Sequence, residues 1–137
     1  MSLVLDCSVT LAWLLPDEQA QPALAVLDRV VATRAWVPAL WPLEVANSLQ
    51  AAVRRQRIDP AFRDASPADL AQLNIEVDPD TAHVAWRATL QLALEHDLTL
   101  YDAAYLELAC RLSLPLASRD EALRRAARTL RVPLLGA

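Results

Sequence analysis

The N-terminal residues Met1-Ser2-Leu3-Val4-Leu5-Asp6-Cys7-Ser8-Val9-Thr10-Leu11 contain the clearest structural pattern in the chain. The apolar run Leu3 to Leu5 predicts a short buried strand, and a carboxylate and a hydroxyl follow where that strand ends. In open parallel α/β sheets, ligands bind beyond the carboxyl ends of the strands. Asp6 is therefore the first candidate site residue, although an aspartate after a strand also commonly caps the next helix.

The length and composition limit the class of protein. We expect the 137 residues to form one domain, 1–137, whose core needs no disulfide or metal for stability. No apolar run approaches the ~18 residues of a membrane span, and the N-terminus lacks the basic flank of a signal peptide, so we expect a cytoplasmic protein without a membrane segment. Cys7 and Cys110 are expected to be reduced, buried thiols.

The charged residues exclude several kinds of function. The net charge of -4 argues against a general nucleic-acid coat, although it does not exclude a nuclease. All thirteen basic residues are arginine, and the only glycine is Gly136. Because a P-loop and a dinucleotide-binding fingerprint need several glycines, both are excluded. Schiff-base chemistry, receiver domains and haloacid-dehalogenase-like phosphatases all need a lysine, so they are excluded as well.

Apolar spacing and capping residues predict alternating strands and helices. After the first strand, Ser8 predicts the start of a short helix that Pro16 stops. Further strands are predicted over 35–38, 74–78, 114–117 and 132–135. Further helices are predicted over 17–33, from Trp41, as one or two segments after Asp59 and Ser66, over 80–96, from Thr99, and over 120–130 with Ser118 as the cap. This order predicts a three-layer α/β/α domain with a mainly parallel central sheet.

The helical spacing also predicts which side chains are buried. The three core stripes expected on the later helices are Leu43, Ala46, Leu49 and Val53; Ala82, Trp86, Leu90 and Ala93; and Tyr101, Tyr105, Leu108 and Leu112. We expect the four tryptophans, Trp13, Trp36, Trp41 and Trp86, to be core residues rather than stacking platforms.

Four acids, Asp6, Glu44, Asp102 and Asp120, lie in the first turn of a predicted helix or at the strand end before it. Each has a purely structural explanation, because acids in first turns cap helices and complement the helix dipole. Thr99 and Asp102, for example, have the spacing of a capping box. The composition does not show whether the four side chains converge.

Four segments resemble, in order and spacing, the motifs of PIN-domain ribonucleases of the VapC toxin type. These segments are Val4-Leu5-Asp6-Cys7-Ser8, Trp41-Pro42-Leu43-Glu44-Val45-Ala46-Asn47, Leu98-Thr99-Leu100-Tyr101-Asp102-Ala103-Ala104-Tyr105 and Leu116-Ala117-Ser118-Arg119-Asp120. The resemblance covers essentially the whole chain and implies a PIN-like fold. It implies that Asp6, Glu44, Asp102 and Asp120 hold a divalent metal ion, Mg²⁺ or Mn²⁺, and that Ser8 and Ser118 are supporting hydroxyls. Ser118 stands where Thr is commoner in the family.

The resemblance implies a divalent-metal-dependent endoribonuclease that hydrolyses RNA by metal-activated water and leaves a 5′-phosphate and a 3′-hydroxyl. Carboxylates suit this role because Mg²⁺ and Mn²⁺ prefer oxygen ligands. A metal-free ribonuclease commonly uses two histidines as acid and base. His83 and His96 adjoin none of the acid motifs, and we interpret both as ordinary surface residues.

The resemblance also implies partners. The chain would be the toxin of a toxin–antitoxin pair, inhibited by a small antitoxin protein, and we expect a homodimer because wide apolar stripes leave surface uncovered. The RNA backbone could be held by Arg54, Arg55, Arg57 and Arg119, although a solvated helix face is the default interpretation of such arginines. Two alternatives remain open: a PIN-like module that binds RNA or protein without cleavage, and an RNA-processing nuclease without an antitoxin.

Overall fold

The computed structural model describes residues 1–137 and contains five strands, seven helices and one short 3₁₀ turn. Helix α5 is continuous through three segments, Thr81–Val84, Ala85–Thr89 and Leu90–His96, the middle one of π type. The other elements, in chain order, are β1 Leu3–Leu5, α1 Cys7–Leu14, the 3₁₀ turn Pro16–Glu18, α2 Gln21–Ala32, β2 Ala35–Val37, α3 Trp41–Arg54, α4 Pro60–Ala71, β3 Ile75–Val77, α6 Leu100–Leu112, β4 Leu116–Ala117, α7 Glu121–Thr129 and β5 Leu134–Leu135.

The sheet has the strand order β3-β2-β1-β4-β5, and all neighbouring strands are parallel. Leu3, Val4 and Leu5 of the central strand are fully buried. Because successive residues of a strand face opposite sides of the sheet, helices must cover both faces. The predicted three-layer α/β/α architecture is therefore confirmed. None of the helices is both long enough and apolar enough to span a bilayer.

The register of the central strands positions the candidate site. Leu5 of β1 pairs with Ala117 of β4. The residues that follow these two strands, Asp6 and Ser118, therefore leave the sheet side by side at its carboxyl edge.

One predicted helix boundary is wrong, and proline explains it. The helix predicted over 17–33 begins only at Gln21, since a start at Asp17 would place Pro22 in the helix interior, where its ring clashes with a carbonyl. Of the one or two segments predicted after Asp59 and Ser66, the structure forms one, α4, which contains Pro67. Ser66, which precedes it, is buried and donates to the carbonyl of Phe62.

The predicted core stripes are partly wrong. Trp13 and Trp41 are buried as predicted, and Trp36 is partly buried against the core. Trp86, however, is 85% exposed on α5. The π segment changes the phase of this helix, so that Thr89 faces the interior in place of Trp86, whereas Ala93 is buried as predicted.

Helices α3 and α6 show the same kind of shift. Their buried faces include Val45 and Leu49 in α3 and Tyr105 and Leu108 in α6, whereas Leu43 is 76% and Tyr101 64% exposed. In a chain this rich in Ala and Leu several apolar stripes overlap, and the position of the sheet selects among them. The prediction of two buried thiols is wrong for Cys110, which is exposed; Cys7 is buried, and neither forms a disulfide.

A buried ion-pair network holds α6 against the loop after β3. Arg111 donates to both carboxylate oxygens of Asp78, at 3.1 and 2.7 Å, and to Glu107 at 2.8 Å through Nη2. Both carboxylates are buried. Burial raises the pKa of Asp78, but the hydrogen bonds from Arg111, the Asp80 backbone and Thr81, together with the charge of Arg111, outweigh it and hold this pKa below its usual value. This network orients the helix that carries Asp102.

Candidate active site

Four separate segments bring the predicted acids to the carboxyl edge of the sheet. Asp6 follows β1 at the N-cap of α1, and Asp120 is the N-cap residue of α7. Glu44 and Asp102 lie in the first turns of α3 and α6. The acids therefore lie at helix N-termini, whose unpaired N–H groups favour negative charge.

Asp6 is the most deeply buried of the four, with 4% of its surface exposed. The hydroxyls of Ser8 and Ser118 donate to its Oδ2 atom at 2.8 and 2.7 Å, so the structure brings both predicted supporting hydroxyls to this carboxylate. The pKa of Asp6 is raised to about 6, mainly because burial penalises the charged form. The charge of Glu44 raises this pKa further, and the two hydroxyls lower it.

The same two hydroxyls connect Asp6 to the loop between β4 and α7. The Ser8 Oγ atom accepts a hydrogen bond from the backbone N–H of Arg119 at 2.9 Å, and the Ser118 Oγ atom accepts one from that of Asp120 at 3.1 Å. Neither serine caps a helix as predicted. The N-cap residues are Asp6 and Asp120, and Asp120 Oδ2 accepts from the N–H of Leu123 at 2.9 Å.

Glu44 is held by a residue that the sequence analysis assigned only to the core. The buried Tyr105 hydroxyl donates to Glu44 Oε1 at 2.5 Å. Burial raises the pKa of Glu44 and outweighs this hydrogen bond, and the charge of Asp102 raises it further. Tyr105 lies in the Tyr-Asp-Ala-Ala-Tyr block, three residues after Asp102, and this spacing on one helix face could have identified it.

The charge of Asp102 interacts with the charges of the other three acids. Its backbone N–H donates to the Thr99 hydroxyl at 3.1 Å, so the predicted cap at Thr99 is confirmed. The pKa of Asp102 is raised to about 6 by burial first, and then by the charges of Asp120 and Asp6. The four carboxylates thus lie close enough for their charges to disfavour ionisation of Asp6, Glu44 and Asp102.

The arginines predicted to bind substrate are placed differently from one another. Arg57 donates to Asp17 and Glu18 in the 3₁₀ turn, at 2.8 and 2.7 Å through Nη2. Arg119 donates to the Glu18 carbonyl at 2.9 Å beside Ser8. Arg54 and Arg55, at the end of α3, are exposed. Of these four arginines, only Arg119 lies next to the acid cluster, because its backbone N–H donates to Ser8.

The donor set has the chemistry of a site for a hard divalent cation. All four side chains are carboxylates, and such ions prefer oxygen ligands. Burial, and to a smaller extent the charges of neighbouring acids, raise the pKa values of Asp6 and Asp102, and a divalent cation would favour their ionised forms. As the side chains stand, no group of three or more His, Cys, Asp or Glu residues is arranged to hold a metal ion. The carboxylates repel one another. In addition, hydrogen-bond donors in different elements hold three of them, Asp6, Glu44 and Asp120, in their present positions.

The fold is similar to that of several known structures. The crystal structure of PAE2754 from Pyrobaculum aerophilum has 23% identity, with 92% of this chain and 84% of that chain covered and a TM-score of 0.68. For FitAcB from Neisseria gonorrhoeae the identity is 19%, the coverage 98% and 96%, and the TM-score 0.65. A toxin-antitoxin complex from Klebsiella pneumoniae has 18% identity, with 86% of this chain and 86% of that chain covered and a TM-score of 0.58. At these identities the likeness shows a shared fold.

Comparison of the sequence with known proteins gives the family. No curated protein matches the chain. The model of the PIN domain family, in contrast, matches residues 3–129, which include all four acids of the site and all strands except β5. The chain therefore belongs to the PIN domain family.

Proposed function

We propose that the chain is a single PIN domain, 1–137, that acts as a Mg²⁺- or Mn²⁺-dependent endoribonuclease. The observation that carries this proposal is the convergence of Asp6, Glu44, Asp102 and Asp120, which belong to four separate segments. The charge of each one contributes to raising the pKa of a neighbour among Asp6, Glu44 and Asp102. A chain that used these acids only as helix caps would gain nothing from placing them together, because their mutual repulsion is unfavourable.

The residues of the chain would prepare the site. Ser8 and Ser118 orient the Asp6 carboxylate through Oδ2, and Tyr105 orients Glu44. When bound among the four acids, Mg²⁺ or Mn²⁺ supplies positive charge for a phosphate oxygen and lowers the pKa of the attacking water. Hydrolysis would leave a 5′-phosphate and a 3′-hydroxyl. Arg119 adjoins the acids and is the best-placed arginine for the RNA backbone.

The test is cleavage of single-stranded RNA by purified protein with Mg²⁺ or Mn²⁺, with and without EDTA. We expect cleavage that EDTA abolishes, with 5′-phosphorylated products that a phosphate-dependent exonuclease degrades. Asp28→Asn is the control for substitutions within the cluster and should cleave like wild type, since Asp28 is an exposed acid on α2, outside the cluster. RNA binding without cleavage would favour the non-catalytic alternative. Cleavage that persists in excess EDTA would exclude the metal mechanism.

The biological role that we propose is that of a toxin paired with an antitoxin. The motif resemblance supports it, and the similar structures include a toxin-antitoxin complex. A pocket of four carboxylates attracts cationic side chains as well as metal ions, so an antitoxin could inhibit by placing Arg or Lys among the acids.

This mode of inhibition is tested by titrating the product of the neighbouring gene against wild type and Asp120→Asn, each with and without Mn²⁺. We expect weaker binding to the variant and competition with Mn²⁺. Equal affinity in all four conditions would show that inhibition does not act through the acids. If no small protein is encoded nearby or co-purifies, the alternative of an RNA-processing nuclease without an antitoxin is favoured.

A further inference from the structure

A recess of 290 Å³ adjoins the acid cluster on the side of α3 and α6, and we call it the Glu44 recess. Its size is just below the roughly 300–1,000 Å³ range of small-molecule pockets. Glu44 belongs to both the cluster and the recess wall. The residues that line it are Leu40, Leu43, Glu44, Asn47 and Tyr101.

Two large apolar side chains of this recess are exposed without contributing to the core. Leu43 is 76% and Tyr101 64% exposed, and each directly precedes a candidate catalytic acid in the sequence. Residues four apart lie on one face of a helix. Tyr101 therefore lies one turn before Tyr105, whose hydroxyl contacts Glu44, and this places its ring beside the acids.

Two polar side chains of the recess, those of Asn47 and Tyr101, are free to bind a ligand. The Tyr105 hydroxyl and the backbone N–H of Asp102 are paired within the protein, whereas the exposed Asn47 amide and the Tyr101 hydroxyl form no such hydrogen bond. An amide offers a donor and an acceptor side by side, which suits the edge of a heterocyclic base. The Glu44 carboxylate disfavours an anionic group there, so an uncharged ring fits better than a phosphate.

We propose that the Glu44 recess binds one unpaired nucleobase of the RNA, next to the phosphate that is cleaved, with Tyr101 stacking on the base and Asn47 bonding to its edge. The inference rests on the proposed ribonuclease function and adds the residues that contact the base. Bases within a duplex cannot reach an aromatic side chain in this way, so the base must be unpaired. Tyr101, Leu43 and Asn47 then determine which base is preferred at the cleavage site.

The first experiment combines protein variants with RNA lacking one base. After the cleavage position is mapped with wild type, kcat and KM are measured for wild type, Tyr101→Ala, Tyr101→Phe and Asn47→Ala. The substrates are the intact RNA and versions with an abasic site on either side of the cleaved bond. Val31→Ala is the control, since Val31 is an exposed apolar residue on α2, outside the recess.

We expect Tyr101→Ala to raise KM on intact RNA about tenfold, the effect of losing one base–aromatic stacking contact. On one of the two abasic RNAs the same variant should cleave like wild type, because the stacking partner is already absent. Tyr101→Phe should keep a KM close to that of wild type, and Val31→Ala should have no effect. Because Tyr101 is exposed, the melting temperature of Tyr101→Ala should stay unchanged.

A second measurement separates this inference from the proposed function. Binding of a fluorescent single-stranded RNA is followed by anisotropy in the Asp102→Asn background, with and without Tyr101→Ala. Weaker binding with Tyr101→Ala supports the base recess even if no variant cleaves RNA.

Three outcomes contradict the proposal. If wild type cleaves RNA and Tyr101→Ala loses the same factor on intact and abasic substrates, the base recess is wrong while the nuclease stands. If wild type neither cleaves nor binds RNA, both fail. If Tyr101→Ala leaves RNA binding unchanged but weakens binding of a protein inhibitor, the recess is a protein-docking surface.

Discussion

Asp6 is deeply buried, and burial makes its ionised form energetically unfavourable. Its carboxylate has two hydroxyl donors but no basic side chain as a partner, and its pKa is raised to about 6. Ionisation of such a group reduces the stability of the folded protein unless another positive charge is provided.

The first prediction is that Asp6→Asn stabilises the metal-free protein and abolishes RNA cleavage. Asparagine keeps an oxygen for the hydroxyls of Ser8 and Ser118 but removes the repelling charge. A gain of about 1 kcal/mol would raise Tm by roughly 4 °C for a chain of this size. Cleavage should fall at least about 100-fold, the effect of removing one electrostatic group from a site. Full activity of this variant would contradict the metal mechanism.

The second prediction concerns pH. The folded-state pKa values of Asp6 and Asp102 are raised from 3.8 to about 6, so the folded protein binds more protons than the unfolded chain between these values. In EDTA, the contribution of these two groups to the free energy of unfolding should therefore be largest below about pH 4 and be lost as the pH rises through 6. Asp78, whose pKa is lowered, contributes in the opposite direction.

Comparison with Asp6→Asn isolates the contribution of Asp6, since Asp78 is unchanged in the variant. Tm curves of both proteins should converge near pH 4 and separate above pH 6, with the variant more stable. Parallel curves across this range would refute the assignment. The rise in Tm on adding Mn²⁺ to wild type should also grow with pH, because the ion and the protons compete for the same carboxylates.

Among the elements, the loop between β4 and α7 does more than connect a strand to a helix. Ser118 is fully buried and joins the Asp6 carboxylate to the backbone at the start of α7. Because Leu5 and Ala117 are paired in register, this contact fixes the relative position of Asp6 and Asp120.

The third prediction is that Ser118→Ala destabilises the protein by about 1–3 kcal/mol, because it leaves a buried carboxylate with one hydroxyl fewer. The pKa of Asp6 should rise further, since the lost hydrogen bond lowers it. Ser118→Thr is the control, because it keeps the hydroxyl. Denaturant unfolding and the pH dependence of Tm measure both effects. Equal stability of the Ala and Thr variants would show that the hydroxyl is not needed.

The fourth prediction concerns the packing of α6. Arg111→Met should reduce the free energy of unfolding by about 2–3 kcal/mol, because Asp78 and Glu107 would remain buried without their partner. Arg128→Met, which breaks only the exposed pair with Glu121, should cost less than about 1 kcal/mol. Urea unfolding of both variants makes the comparison. Similar losses would mean that burial of the network adds nothing.

The whole molecule has apolar surface that its own core leaves uncovered. On α5, Trp86 is 85% and Leu94 76% exposed, so the homodimer expected from the sequence has a surface that it could use. Exposed apolar patches of this kind commonly mark interfaces.

The fifth prediction is that the protein is a homodimer at micromolar concentration and that Trp86→Arg makes it monomeric. Burying an arginine without a partner in an interface is unfavourable. Val31→Arg is the control, since Val31 is exposed on α2. Light scattering should give about twice the 15.1 kDa of one chain for wild type and the control. A wild-type mass of one chain would refute the dimer.

Much of the fold and the position of each acid followed from local sequence patterns. Leu3 to Leu5 predicted the central strand, the order of strands and helices predicted the parallel sheet, and Thr99 predicted the start of α6. These features depend on residues close together in the chain, where propensity, capping and apolar periodicity act directly. The family resemblance, which rests on four short sequence motifs, predicted the four acids as site residues.

Which apolar stripe is buried, and what each acid touches, depended on contacts between distant residues. The π segment in α5 exposes Trp86, and packing against the sheet exposes Leu43 and Tyr101 while it buries Tyr105 against Glu44. The link between Asp6 and Ser118 spans 112 residues and exists because β1 and β4 are neighbours in the sheet. Periodicity cannot choose between overlapping stripes, because the choice lowers the free energy only once the sheet and helices are assembled.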